Sequence, residues 1–418
     1  MRRMALGTGL ALLLAACSGP SGTQVQVSLV DGLDNPIQAT AAAYRVGTGP
    51  FQALSPTGPG QYRFTVPSGA NQYTVVFRCP YFGTLASQVQ VVSYELKLAE
   101  ATSFKARCPY AYAGPEANLN KPNDNTSSES FPNWAGQAYS ATSSEFLVDE
   151  EGDNEWNDLP AHFRVPVGQN REVAIFGYKG GNYYFGRKLV NVTYTDTAIN
   201  QITVSPVGAS FTTSNQVQAY FLGKEVRIPL GFGSEFPKLS SDQGDLYELV
   251  SVSGNQARLK RVSGSASELA NPVNMGLSAS LTFNPTVSTN PGSLPTFQGL
   301  TDPGFPNERP LRGYLLALSW PGNWTWAFWQ HLVGKEALQG NSYYALPDPT
   351  GVTGLEALKP TSGDSVSWQA VALGLDQPLF QVLGARPIPQ GTGPLDALDR
   401  HLPLDLEAAV AFGSYTQP

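Results

Sequence analysis

Apolar and polar residues alternate along several short stretches of this chain. The clearest cases are Val25, Val27 and Leu29, then Tyr62, Phe64 and Val66, and then Tyr94, Leu96 and Leu98. A period of two places the apolar side chains on one face of a β-strand. Turn-forming pairs such as Asp31-Gly32 and Asn35-Pro36 separate these stretches. A small all-β unit is therefore predicted for residues 25–110.

The same pattern continues further along the chain. Gly180-Gly181-Asn182 predicts a hairpin turn, and residues 253–256 predict a second one between strands at 246–252 and 257–262. Further strands are expected at 314–320, 324–332 and 365–373. The C-terminal tail is expected to hold one short helix near residues 406–412.

Composition supports an all-β chain with tandem β-sandwich domains. The 418 residues include 42 Gly and 33 Pro, which favours short strands and many turns. Stretches rich in Asn, Ser, Pro and Gly suggest boundaries between the units. The predicted domains are a signal peptide (1–16), a tether (17–24), a β-sandwich (25–110), a linker or long loop (111–144), a β module (145–206), a β-rich module (207–294) and a last β module with a C-terminal tail (295–418).

The N-terminus has the order of an export signal. Arg2 and Arg3 precede an apolar run over residues 4–16, which is too short to span a bilayer as a helix. The run ends in Leu-Ala-Ala followed by Cys17, which resembles the bacterial lipobox. The resemblance implies a lipoprotein with diacylglycerol on the sulfur of Cys17, further acylation such as palmitate, and cleavage before that residue. The alternative is an ordinary signal peptide cut after Ala16.

A lipid on Cys17 makes the membrane a partner of this chain, because several acyl chains on one residue give stable anchoring. Residue 18 is Ser rather than Asp, which favours the outer membrane or the cell surface. The net charge of −7 argues against nucleic acid as a partner, since binding its phosphates needs clustered Lys and Arg. It also disfavours electrostatic docking on an anionic membrane.

The two remaining cysteines occur in matching tetrapeptides, Arg78-Cys79-Pro80-Tyr81 and Arg107-Cys108-Pro109-Tyr110. Export exposes them to an oxidising compartment, and the matching settings suggest a disulfide. Closing this loop would stabilise the fold by about 3–4 kcal/mol. A metal pair or a redox couple remains the alternative, although two thiols without nearby His make a poor zinc site.

Three segments resemble known β-sandwich families. Asn35-Pro36-Ile37, residues 60–69 and residues 73–76 resemble the carboxypeptidase-regulatory or prealbumin-like sandwich, over about 55 residues. That resemblance implies a spacer or adhesion module. The unit at 145–206 is similar to an Ig-like module. Leu355-x-x-Leu358-x-Pro360 followed by Val366-Ser367-Trp368 resembles a fibronectin-III or Ig-like sandwich.

Aromatic and acidic clusters are the candidates for ligand binding. Trp320, Trp324, Trp326 and Trp329 lie within ten residues, and exposed rings of this kind stack on sugars. Trp324, Trp326 and Trp329 are therefore a candidate ligand platform, although one face of a strand is normally core. For Tyr178, Tyr183 and Tyr184 the alternatives are likewise a ligand platform, or packing in the core or over the hairpin. Six acidic residues in 149–158 suggest either a Ca²⁺ loop or a solvated acidic loop.

Catalytic motifs are absent from the sequence. His162, His331 and His401 are far apart, and the chain has no Gly-x-Ser-x-Gly elbow and no phosphate-binding loop. No catalytic residue, metal or cofactor is assigned, and a non-catalytic structural or partner-binding envelope protein is expected. Its partner would be another envelope protein or a glycan. The alternatives are a carbohydrate- or solute-binding lipoprotein and a hydrolase, which requires His162 or His331 to meet a Ser and a carboxylate in a cleft.

Overall fold

Strands make up most of the described residues, in agreement with the alternating pattern. The computed structural model describes residues 22–80, 88–108, 114–120, 135–141, 144–148, 163–193, 197–198, 202, 204–278, 281–322, 325–383 and 402–418. The first strands are β1 (Gly22–Val30), β2 (Ala41–Val46), β3 (Gln52–Ala53), β4 (Pro56–Gly58), β5 (Gln61–Pro67), β6 (Gln72–Arg78), β7 (Gln88–Lys97) and β8 (Ser103–Arg107).

The middle and C-terminal parts of the chain continue in the same way. The middle strands are β9 (Glu116–Asn120), β10 (Ala135–Tyr139), β11 (Ser144–Val148), β12 (Phe163–Pro166), β13 (Gly168–Lys179), β14 (Asn182–Val192), β15 (Thr197–Ala198), β16 (Ser205–Pro206), β17 (Ser210–Leu222), β18 (Arg227–Pro237), β19 (Leu246–Ser253) and β20 (Gln256–Ser263). The last strands are β21 (Thr286–Ser288), β22 (Thr296–Gln298), β23 (Leu311–Gly322), β24 (Thr325–Gly334), β25 (Tyr343–Ala345), β26 (Ser365–Leu375) and β27 (Leu404–Thr416). The described helices are short: 3₁₀ turns at Ser267–Ala270 and Lys335–Leu338, and α1 (Leu379–Val382).

The C-terminal helix expected near residues 406–412 is wrong. This segment belongs to β27, which pairs with β20 on one side and with β26 on the other. Its alanines favour a helix locally, but Leu404, Leu406, Ala408 and Val410 repeat with a period of two. Pairing on both sides therefore overrides the local helix propensity. Within 111–144, the segment predicted to be a linker or a long loop, the described residues include β9 and β10.

Twelve of the described strands form one continuous sheet, hereafter the long sheet, in the order β18-β17-β19-β20-β27-β26-β23-β24-β7-β6-β2-β3. Each neighbouring pair is antiparallel except β7 with β24, which run parallel. This parallel pair joins the N-terminal strands to the C-terminal strands. The sheet thus passes through segments that the sequence analysis assigned to three separate units.

Apolar layers cover both faces of the long sheet. The four-stranded sheet β4-β5-β1-β8 packs on one face, where Val25 and Phe64 belong to the same apolar cluster as Tyr94 and Leu332 of the long sheet. On the opposite face, residues of 281–305 and 335–358 cover the middle strands. The five-stranded sheet β11-β10-β13-β14-β16 contributes to a third cluster with β17, β18 and β19. The result is the sandwich packing that the fold class predicts.

The outer edge of the long sheet at β18 is poorly suited to pairing with another chain. Pro229 removes a backbone donor, and the ladder between β17 and β18 contains two register shifts. Gly231 has a φ of +102°, which further breaks the regular edge. Such irregularity protects an exposed edge strand from edge-to-edge association.

Cys79 and Cys108 form the predicted disulfide, with Cα atoms 5.5 Å apart. Cys79 follows β6 of the long sheet, and Cys108 follows β8 of the four-stranded sheet. The bridge therefore joins the two layers of the N-terminal sandwich covalently.

Replacing both cysteines, as in the Cys79→Ser/Cys108→Ser variant, is expected to lower the free energy of unfolding by about 3–4 kcal/mol, because the unfolded chain regains the entropy of a 29-residue separation. Urea unfolding measures this loss. Native protein unfolded in dithiothreitol should show the same midpoint as the variant. A variant midpoint equal to that of the oxidised native protein would contradict the prediction.

Candidate functional site

Polar side chains occupy adjacent positions on one face of the long sheet, where an apolar lining would be expected. Arg45 on β2 pairs with Thr74 on β6, and Thr74 pairs with Glu95 on β7. One row away, Ser93 on β7 pairs with His331 on β24 across the parallel joint. Because paired residues share a face, these five side chains converge on one buried site, hereafter the joint network.

Glu95 is the centre of the joint network. Its Oε2 accepts hydrogen bonds from the Tyr344 hydroxyl at 2.6 Å and the Thr74 hydroxyl at 2.8 Å, and Arg45 Nη2 lies 3.0 Å away. Its Oε1 accepts from the Gln72 amide at 2.5 Å. Burial alone would raise the pKa of Glu95, but the electrostatic interaction with His331, the hydroxyls of Tyr344 and Thr74, and the positive charge of Arg45 lower it below its ordinary value. The carboxylate is thus held ionised inside the protein.

His331 continues the network toward the next strand. Its Nε2 lies 2.7 Å from the Tyr344 hydroxyl, and its Nδ1 lies 2.7 Å from Ser93 Oγ. Since Tyr344 donates its proton to Glu95, its oxygen accepts from His331, so Nε2 carries the hydrogen. Nδ1 then accepts from Ser93, whose oxygen accepts the Trp329 indole N–H at 2.7 Å. A neutral imidazole therefore satisfies every group in the chain.

The segment 335–346 closes over the joint network. Gln72 donates to the carbonyl oxygen of Ala337 at 3.3 Å, and Gln339 donates to the side-chain oxygen of Gln72 at 2.9 Å. Tyr344 reaches Glu95 and His331 from β25, which belongs to the small sheet β21-β22-β25. These contacts tie a layer of the C-terminal part to strands of the N-terminal part.

The network gathers a serine, a histidine and a carboxylate, but its geometry differs from that of a nucleophilic triad. His331 contacts Tyr344 rather than the carboxylate, and Ser93 Oγ is engaged by the indole of Trp329. Ser93 is 1% exposed and His331 is 0% exposed. In the described structure a substrate has no access to Ser93. The arrangement instead fixes the register of four strands and the position of their cover.

Stability is expected to fall by roughly 3 kcal/mol between pH 7 and pH 4, through His331 alone. Burial lowers the pKa of His331 from its ordinary value of 6.5 to about 4. Between these two values the unfolded chain binds a proton that the folded chain does not, so acid favours unfolding. Urea unfolding at a series of pH values measures the slope.

The matched comparison for this slope uses the three histidines. His331→Gln should flatten the pH dependence between pH 7 and pH 5, whereas His162→Gln and His401→Gln should leave it intact. The lowered pKa of Glu95 adds a further loss of stability at more acidic pH, so the comparison is made above pH 5. A slope that survives in His331→Gln but disappears in either of the other variants would contradict the assignment.

A second ionic cluster lies between the five-stranded sheet and the long sheet. Glu172 on β13 accepts the backbone N–H groups of Glu225 at 2.7 Å and Val226 at 3.0 Å. Arg187 on β14 lies 2.8 Å from Asp245 and 3.5 Å from Glu172. These ion pairs raise the pKa of Arg187 against the opposing effect of burial. Like the joint network, this cluster connects layers of the fold.

The aromatic platform expected at Trp324, Trp326 and Trp329 needs correction. Trp329 is 1% exposed, because its position on β24 faces the apolar layer formed by residues of 281–305 and 335–358. It therefore cannot form part of an exposed platform. Trp324 and the side chain of Trp326 lie outside the described residues, so their role stays a prediction. Trp320 is buried as well.

Other candidates from the sequence fall outside the described part of the chain. They are Cys17 with its lipobox, the acidic loop at 149–158, His162 and His401. Within the described ranges, no group of three His, Cys, Asp or Glu side chains is arranged to hold a metal ion. No helix among those residues has both the length and the apolar character needed to cross a bilayer.

Sequence reasoning missed Ser93, Glu95 and Arg45. The alternation of Tyr94, Leu96 and Leu98 predicts a strand with one solvent-exposed face, and Ser93 and Glu95 lie on that face. In the structure Tyr344 of the segment 335–346, which is 249 residues away in sequence, covers Glu95, and His331 and Trp329 of β24 enclose Ser93. The available signal was that polar residues stand at alternate positions in two strands, at Gln72 and Thr74 and at Ser93 and Glu95, but the pairing order of the strands is not visible in the sequence.

Comparisons with known proteins give weak similarities. No protein-family model matches the chain, and no curated protein matches its sequence. One similar solved structure is the Bacillus anthracis TIE protein, at 11% identity and a TM-score of 0.18 over 61% of this chain and 49% of that chain. Another is the pilus adhesin SpaC from Lactobacillus rhamnosus GG, at 8% identity and a TM-score of 0.14 over 75% of this chain and 44% of that chain.

This chain therefore spans about half the length of the TIE protein and less than half of SpaC. Superpositions with scores this low indicate neither a common fold nor a common role.

Proposed function

We propose that this chain is a lipid-anchored cell-envelope protein with a non-catalytic role as a structural or partner-binding component. Acyl chains on Cys17 would hold one end at the outer membrane or the cell surface. The β layers beyond the tether would then project a rigid surface away from the membrane. The N-terminal sandwich would be the prealbumin-like spacer that its sequence resembles, with Ig-like modules following it.

The main observation behind the proposal is that the buried charged residues lie between the layers of the fold. In the described residues, the joint network and the ionic cluster around Glu172 and Arg187 both lie between layers of the fold. Their central carboxylates, Glu95 and Glu172, are both buried. Buried polar networks of this kind specify one arrangement of the layers. They are what a load-transmitting or spacing element needs, whereas an enzyme needs reactive groups that a substrate can reach.

The disulfide also supports the proposal. Cys79 and Cys108 are bonded in the fold, which suits an oxidising compartment outside the cytoplasm. Arg2, Arg3 and the apolar run at 4–16 provide the export signal for such a location. The lipobox ending in Cys17 then supplies the anchor.

Mass spectrometry of the mature protein tests the anchor. The first peptide is expected to begin at Cys17 and to carry a diacylglycerol group with a further acyl chain. Native protein should partition into the detergent phase, whereas Cys17→Ser should remain in the aqueous phase with the same circular dichroism spectrum. A mature protein that starts at another residue, or that carries an unmodified Cys17, would refute the anchored role.

A further inference from the structure

Aromatic rings reach solvent at the end of the β13–β14 hairpin. Tyr178 pairs with Tyr183, and Phe176 pairs with Phe185, so the four rings share one face of the five-stranded sheet. Tyr178 is 49% exposed and Tyr183 is 37% exposed. The turn between the strands consists of Gly180 and Gly181, and the φ angles of these two residues are +55° and +88°. The two turn residues carry no side chain that could cover the rings.

Ring contacts hold this surface in place. The rings of Phe176 and Tyr183 stack with centroids 5.7 Å apart and planes 7° apart, and Tyr178 lies 5.1 Å from Tyr183 at 60°. Further inward, Phe185 contacts Phe221 of the long sheet at 5.4 Å. The exposed rings are thus the outer end of an aromatic row that begins in the core. A preorganised surface loses little side-chain entropy when it binds a ligand.

The chemistry of this surface favours a neutral ligand with both apolar faces and hydroxyl groups. The two exposed rings carry phenolic hydroxyls, whereas Phe176 and Phe185, which lack them, are half-buried. Gln137 on β10 pairs with Phe176 and adds a side-chain amide to the same face. All five residues are uncharged, and the chain as a whole is acidic. An anionic membrane surface would instead require basic residues.

We propose that Tyr178 and Tyr183, with Gln137 beside them and Phe176 and Phe185 packed beneath them, bind a neutral polysaccharide; these five residues are hereafter the hairpin platform. The C–H faces of the sugar rings pack on the exposed tyrosine rings, and the phenolic hydroxyls and the amide bond the sugar hydroxyls. This inference deepens the partner-binding part of the proposed function by naming a glycan as the partner. It does not depend on the tryptophans at 324 and 326.

Isothermal titration calorimetry of the full mature protein with cellohexaose, chitohexaose and mannohexaose tests the platform. Native protein is expected to bind at least one of them, and Tyr178→Ala/Tyr183→Ala should weaken that binding by at least about tenfold. Tyr343→Ala is the matched control, because Tyr343 is an exposed tyrosine on β25. Its binding should equal that of native protein. Tyr178→Phe/Tyr183→Phe keeps the ring faces and should weaken binding less than the double alanine variant.

Several results would overturn the proposal. Absence of binding to all three sugars at roughly millimolar concentration would do so. Native-like binding by the double alanine variant with an unchanged thermal midpoint would also do so. If native protein binds no sugar and the variant abolishes self-association in sedimentation, the platform is a contact between copies of this chain. None of these outcomes changes the mass of the lipidated N-terminus, so the anchored role is tested separately.

Discussion

Replacing Glu95 by alanine is expected to lower the free energy of unfolding by about 4–5 kcal/mol. The carboxylate is 4% exposed and accepts from Tyr344, Thr74, Gln72 and Arg45. Its removal leaves these donors buried without their acceptor and leaves the positive charge of Arg45 uncompensated. Urea unfolding followed by tryptophan fluorescence measures the loss, because Trp329 lies in the same network.

A double-mutant cycle separates the cost of the unpaired charge from the loss of packing. Arg45→Met alone leaves Glu95 without its cation, and Glu95→Ala/Arg45→Met removes both charges. The double variant is expected to be less destabilised than the sum of the two single variants by at least about 1 kcal/mol. Glu308→Gln, at an exposed position, is the control and should unfold as native protein does. Additive losses in the cycle would show that Arg45 and Glu95 are not coupled.

The sequence predicts the strands of this fold far better than it predicts their neighbours. The runs of alternating residues around Val27, Phe64 and Leu249 mark strands that the structure confirms. Alternation is a local property, and it is enough to place one face of each strand inward. Which strands pair depends on contacts between distant segments. The parallel pairing of β7 with β24 joins residues 88–95 to 326–333. Nothing in the sequence of either segment identifies the other as its pairing partner.

The candidate site could not be predicted from the sequence either, because it also depends on contacts between distant segments. Ser93 and Glu95 lie on the face of β7 that a single strand would present to water. In the fold, Tyr344 of the segment 335–346 reaches Glu95, whereas His331 and Trp329 of the parallel neighbour β24 enclose Ser93. Trp329 was singled out as part of a platform because tryptophans cluster around it. Its position on β24 rules this out, because both faces of the long sheet are covered at this strand: Trp329 packs with the layer from 281–305 and 335–358, and its neighbour Leu332 packs on the opposite layer. The disulfide could be predicted because Cys79 and Cys108 are the two cysteines left once Cys17 is assigned to the lipid anchor.

Glu248 gives the second large effect expected in this protein. It is 0% exposed on β19, and its two carboxylate oxygens meet Arg261 Nε at 2.8 Å and Arg227 Nη2 at 3.1 Å. Burial alone would raise the pKa of Glu248, but the two guanidinium groups lower it below its ordinary value. Glu248→Gln keeps the shape and removes the charge that the buried Arg261 and the partly buried Arg227 share. The expected loss is about 4 kcal/mol in the free energy of unfolding.

The position of Arg261 makes this loss larger than that of a surface ion pair. Its side chain is 1% exposed, so water cannot replace the missing carboxylate, whereas Arg227 also packs its guanidinium on the ring of Tyr220 at 3.3 Å. Glu248→Gln/Arg261→Met should therefore recover part of the stability that Glu248→Gln loses. Glu235→Gln on the exposed edge strand is the matched control and should change the urea midpoint little. If Glu248→Gln unfolds at the same urea concentration as Glu235→Gln, the two arginines are solvated in the native state and the buried charge cluster does not hold β19 to its neighbours.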